Sequence, residues 1–154
     1  MTVNKPALKA ALLARLAEDL EAARAAHRAA VEGATHDEAR PENDKDTRGL
    51  EQSYLARGQA QRVAELELAV ATITAWEPRA FGRTDAIAIG AIVEIEEAER
   101  TRRFWLVAHG GGISLPGDVT VLTPSSPIGR ALLGRHVDDE VELGKRTLLI
   151  CDLA

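Results

Sequence analysis

The sequence predicts an α+β protein in two parts. Residues 1–77 read as an antiparallel coiled-coil hairpin, and residues 78–154 as a small, mostly antiparallel sheet domain with one short helix. Three observations lead there. Residues 5 to 76 are dominated by Ala, Leu, Glu, Arg and Gln, the strong helix formers. From residue 86 onward, Ile and Val gather in short runs punctuated by glycine. Between these textures lies Glu77-Pro78-Arg79-Ala80-Phe81-Gly82-Arg83, where Pro78 stops a helix and Gly82 permits a turn.

In the first helix, Leu13, Leu16, Leu20, Ala23, His27 and Ala30 follow a 3-4-3-4-3 spacing, one seam of a coiled coil. In the second, Val63, Leu66, Val70 and Ile73 repeat the 3-4-3 step. Each stripe suits a single partner helix. The connection from Gly33 to Asp46 is polar throughout, and Gly33 and Pro41 break it. Two helices so joined fold back on each other. At about 1.5 Å per residue, arms of roughly 28 residues make a rod on the order of 40 Å long. Eleven of residues 7 to 30 are alanine, which predicts a thin rod fit to enter something narrow.

The second part predicts strands over Ala86–Glu96, Arg103–Ala108, Val119–Leu122 and Leu148–Leu153. One helix interrupts them: Ser126 caps it, Pro127 takes its first position and Gly134 ends it.

Composition removes several function classes. Nineteen Lys and Arg against 24 Asp and Glu leave a formal charge of −5, the wrong sign for gripping duplex phosphates, so no sequence-specific DNA binding is expected. Aromatics are only 3%, too few for a deep ligand cleft. The single cysteine, Cys151, excludes an internal disulfide and a multi-cysteine zinc site and reads as a small apolar residue in a C-terminal strand. No apolar run reaches membrane-span length, and Glu18 and Asp19 sit where a signal-peptide core would be apolar. A cytoplasmic protein without membrane contact is the expectation.

The densest cluster of titratable groups is the hairpin tip, near residues 34–48. Asp37, Glu38, Glu42, Asp44 and Asp46 stand against Arg40 and Lys45. Carboxylates at the end of a rod have nothing around them to exclude water, so they either keep a loop soluble or act inside another protein's site. A calcium loop read from Asp44 fails, because it puts Arg48 and Leu55 at ligand positions. His109-Gly110-Gly111-Gly112 is similar to an esterase oxyanion loop, but the Gly-x-Ser-x-Gly elbow is missing and a hairpin turn fits better. His27, His36 and His136 lack ligand spacing, and Arg102, Arg103, Arg130 and Arg135 read as scattered surface charge or a modest basic face.

Ile113-Ser114, Val119 to Thr123, Ser126-Pro-Ile-Gly-Arg-Ala-Leu-Leu-Gly-Arg135 and Asp138-Asp-Glu-Val-Glu142 together resemble the C-terminal domain of the GreA/GreB transcript-cleavage factors. Gly90-Ala-Ile-Val-Glu-Ile95 resembles that family's opening strand. The resemblance spans essentially the whole chain, because Gre factors join a coiled-coil hairpin to an FKBP-like domain. It implies a factor that is not itself an enzyme and whose hairpin enters the secondary channel of RNA polymerase. There tip carboxylates help hold a shared Mg²⁺ while the polymerase cleaves backtracked RNA. For this chain that implies Asp44 and Asp46 holding the shared metal, Glu42 joining them as catalytic tip carboxylates, and polymerase contact by Ser126, Pro127, Arg130 and Arg135. No cofactor is expected on the isolated chain, and it is expected to be a monomer.

The tip departs from the family pattern. Aligned on Tyr54, the two acids of the Gre tip fall on Thr47 and Leu50, neither of which offers a carboxylate. Either Asp44 and Asp46 act in a shifted register, or the chain occupies the channel without stimulating cleavage. Two other classes stay open: a coiled-coil adaptor that dimerises through its seam, and a prolyl isomerase, for which only Phe81, Phe104 and Trp105 offer pocket walls.

Overall fold

A computed structural model describes residues 1–39 and 48–154, with side chains described outside 35–48. The elements run α1 (Lys5–Ala39), α2 (Arg48–Ala75), β1 (Ile92–Glu97), β2 (Arg100–Leu106), β3 (Ser114–Leu115), β4 (Val119–Leu122), α3 (Pro127–Leu132), β5 (Glu140–Leu143) and β6 (Arg146–Leu153). The α+β class is as the sequence predicts. The chain divides into two compact units, Met1–Ala14 with Thr72–Ala154, and Arg15–Ala71. No described helix is long and apolar enough to cross a membrane.

The unit Arg15–Ala71 is a pair of antiparallel helical segments. Arg24 pairs with Glu67 at 3.2 Å, and Gly33 lies opposite Gln52, so rising numbers on one arm meet falling numbers on the other. Its seam buries Leu16, Leu20, Ala23, Ala30 and Ala34 against Leu66 and Ala69. Gly33 does not end α1, contrary to the sequence expectation. The helix continues through it to Ala39. Glycine costs about 1 kcal/mol in a helix interior, and here it stands where a Cβ would lie 3.1 Å from Oε1 of Gln52.

The other unit is built on a six-stranded sheet, ordered β3-β4-β2-β1-β6-β5. All neighbours are antiparallel except β2 and β4, which run parallel with Phe104 beside Thr120. One face carries Val93, Ile95, Phe104, Leu106, Val141, Leu148 and Ile150, closed over by Ile87 and Leu132. Ile92 and Trp105, adjacent in register, point the other way and are also fully buried. Trp76 covers that side, its ring 5.7 Å from that of Trp105. Leu12 packs against the Gly110 turn: a Cβ on Gly110 would lie 2.9 Å from its Cδ1.

Four expectations change. The inward leucine at the start of α1 is Leu12, fully buried, whereas Leu13 is half-buried; in the same unit Leu8, one turn earlier, is buried too. The strand expected over Ala86–Glu96 begins only at Ile92. Residues before it bond elsewhere, Ile87 N–H to the Arg135 carbonyl and Gly90 N–H to that of Leu106, and Gly90 turns the chain at φ +98°. The strand expected over Arg103–Ala108 is shifted to Arg100–Leu106, because its register with β1 continues down to Glu97. Finally, β3 and β5 join the four expected strands. They are two and four residues long.

Candidate functional site

Glu42, Asp44 and Asp46 belong to residues 40–47 and lie outside the described residues, so their mounting is what the structure supplies. α2 starts at Arg48, and its inward positions from there are Gly49, Gln52, Ala56, Gln59, Val63, Leu66, Val70 and Ile73, buried or half-buried in an unbroken 3-4 alternation. The sequence pattern found only the last four, because Gly, Gln and Ala do not register as an apolar stripe. Leu50 and Tyr54, on the first two turns of α2, are 54% and 59% exposed. The Arg57 guanidinium lies over the Tyr54 ring at 5.7 Å.

The Ser126–Arg135 segment forms a tight cap rather than a row of reaching side chains. Ser126 Oγ accepts from Gly129 N–H at 3.0 Å and donates to the Thr123 carbonyl at 2.8 Å. Pro127 occupies the first turn, where its missing N–H costs nothing. Gly129 is the fixed point: a Cβ there would run into the Thr123 carbonyl oxygen and lie 2.8 Å from Ser126 Oγ. Gly134, at φ +78°, turns the chain out of the helix. Pro127, Arg130 and Arg135 are exposed, and neither arginine has an ion-pair partner among the described residues. The Ser126 side chain is engaged in its own helix cap.

At the base of the helices two lysines of α1 serve carbonyls in the last turn of α2 and just beyond it. Lys9 Nζ donates to Thr74 at 3.1 Å and Trp76 at 2.6 Å, and Lys5 Nζ donates to Arg79 at 2.7 Å. Lys5 also sits over the Phe81 ring at 4.8 Å, a ring shared with the Arg79 guanidinium at 3.9 Å. Burial, and secondly the charge of Arg79, push the Lys5 ammonium down from 10.5 to about 8. Sequence reasoning missed this cluster, since its members lie some 70 residues apart along the chain.

On the sheet, Arg103 pairs with Glu94 and Arg146 with Glu97, each across adjacent strands. The hydrogen bond from Arg146 holds the Glu97 carboxyl below the usual range. Burial pushes the Cys151 thiol up, as expected of an unreactive strand cysteine. Phe81, Phe104 and Trp105 are all buried, so they cannot wall an open proline pocket, and the isomerase reading loses its only aromatic support. No cluster of metal-ligating side chains occurs among the described residues.

No protein-family model and no curated protein matches the sequence. Among solved structures the chain is similar to GreA factor homolog 1 (Gfh1) of Thermus thermophilus. The identity is 22% and the TM-score 0.40, over 92% of this chain and 94% of that one. A second structure of the transcription factor Gfh1 matches at 21% identity and TM-score 0.40, over 93% of each chain. Gfh1 of Thermus aquaticus matches at 21% identity and TM-score 0.38, over 90% of this chain and 91% of that one.

Proposed function

We propose that the chain is a Gre-like factor that docks its helical hairpin in the secondary channel of RNA polymerase and modulates elongation or transcript cleavage there. One observation carries this reading. The same chain joins an acid-rich stretch, residues 37–46, at the junction of two antiparallel helices to a sheet unit that bears the Ser126–Arg135 segment of the Gre resemblance. A carboxylate set such as Glu42, Asp44 and Asp46 supplies hard oxygen donors suited to Mg²⁺. A Mg²⁺ shared with the polymerase would stabilise charge and activate water there. The protein's own part is to deliver and orient those carboxylates, so it is not an enzyme by itself. Arg130 and Arg135 are the exposed groups offered to the polymerase, and the protein acts as a cytoplasmic monomer whose arms satisfy each other.

The departure at Thr47 and Leu50 favours a second form of the same reading, in which the hairpin occupies the channel and slows nucleotide addition without promoting cleavage. The test adds the protein to stalled, backtracked polymerase with labelled RNA. Wild type should bind, and a variant with residues 37–46 replaced by a glycine-serine turn should bind more weakly. Faster cleavage that is lost in the Asp44→Ala, Asp46→Ala double variant assigns the work to those acids. Slower nucleotide addition without cleavage assigns channel occupancy. Absence of polymerase binding by the full-length chain would overturn both, and a stable dimer in sedimentation would point to the adaptor.

A further inference from the structure

Two adjoining hollows open on the sheet unit beside the first turn of α1. The larger, about 290 Å³, has Val3, Ala7, Leu8, Pro116 and Val119 among its walls and Arg103 at its margin. Leu8 and Val119 are buried and make an apolar floor. The smaller is bordered by Thr101, Arg103, Gly117 and Asp118. Arg103 and Gly117 line both, so the two hollows adjoin there.

The charges around them are not spent on each other. Arg103 uses Nε to bond Glu94 at 2.9 Å, which fixes the guanidinium, and no second bond engages its terminal amino groups among the described residues. Asp118 is exposed and has no ion pair among the described residues, although it shares the smaller hollow with Arg103. Gly117 and Asp118 form the turn there and both take positive φ, +81° and +57°. Arg103 and Asp118 thus border one hollow without an ion pair between them, and a single ligand can pair with both. A ligand that satisfies both needs both charges, and the apolar floor beside them needs an aliphatic portion.

We propose that the joined hollows bind a free α-amino acid with an aliphatic side chain. Arg103 takes its carboxylate, Asp118 its ammonium, and the side chain lies over Leu8 and Val119. Other small ligands fit less well. A phosphate meets Glu94 and Asp118, a simple amine faces Arg103, and a simple fatty acid leaves Asp118 without its partner. The volume is at the lower end of the range that small ligands fill, about 300 Å³ upward. Binding would tie the first turn of α1 to the β3–β4 turn and stabilise the sheet unit by mass action. The site is independent of the polymerase reading.

The test is a titration of the full-length chain with L-leucine, followed by amide NMR shifts and by melting temperature. Saturable shifts at residues of the two hollows are expected at millimolar leucine. Isocaproate, which lacks the amine, and isopentylamine, which lacks the carboxylate, should each bind at least tenfold more weakly. Asp118→Asn keeps a residue tolerant of positive φ; it should melt like wild type without ligand and bind leucine at least tenfold more weakly. No saturable shift at about 10 mM leucine, equal binding of leucine and isocaproate, or undiminished leucine binding by Asp118→Asn would each overturn the assignment.

Discussion

The ammonium of Lys9 lies 2.6 Å from the carbonyl oxygen of Trp76. A helix leaves its last carbonyls without intrahelical donors, and cations near that end are favoured by its dipole. Here the donor comes from another helix. Lys9 serves Thr74 and Trp76 just where α2 ends, at Ala75, and Lys5 does the same for Arg79 one turn earlier on α1. This clasp lies wholly within the unit made of Met1–Ala14 and Thr72–Ala154.

Lys5 gives the clasp a pH dependence with a definite sign. Its ammonium is held at about 8 in the folded chain against 10.5 ordinarily, so between those values the unfolded chain binds more protons. Stability attributable to this group therefore rises as pH increases from about 8 to 10.5. The ceiling is on the order of 3 kcal/mol, reduced by whatever the Phe81 ring returns to the charged form. Urea unfolding of wild type and Lys5→Met at pH 7, 9 and 10.5 should show wild type gaining on the variant with pH. Parallel profiles would refute the buried-ammonium account.

Gly129→Ala should be among the most damaging small changes in the chain. The added methyl collides with the Thr123 carbonyl, and relief requires α3 to move off the cap. A loss of about 2 to 4 kcal/mol is expected in denaturant unfolding; a loss below about 0.5 kcal/mol would contradict the geometry.

Ser126→Ala should cost about 1 kcal/mol, the ordinary value of an N-cap, because among the described residues Oγ bonds only within its own turn. Polymerase affinity, measured well below the melting temperature, should change little. A large loss of affinity with unchanged stability would instead mean that Ser126 touches the partner.

The seam register distinguishes two neighbouring leucines. Leu12 is fully buried and Leu13 only half so. Leu12→Ala should cost about 3 kcal/mol and Leu13→Ala under about 1.5. The reverse order would restore the 3-4 spacing that starts at Leu13.

Much of this was legible in the residues. Ser126, Pro127 and Gly134 announced α3 because capping and termination are local chemistry. The helices declared themselves through composition. What escaped was set by distant partners. Ile87 reads as strand, yet its N–H bonds to Arg135 across the fold, and Leu12 displaces Leu13 because Gly110 packs against it. Of the candidate site, the acid-rich tip was visible as charge. The polar stretch of the α2 seam, Gly49 to Gln59, was not, since only a partner helix gives glutamine an inside.

The chain has two tryptophans, and both rings stand in the sheet unit, 5.7 Å apart. Tryptophan emission, excited selectively where Tyr54 does not absorb, is therefore a private optical reporter for that unit and is blind to Arg15–Ala71. Melting followed by fluorescence will trace one half of the molecule, while far-ultraviolet dichroism, dominated by α1 and α2, will weigh the other. A gap between the two curves would measure how independently the halves come apart.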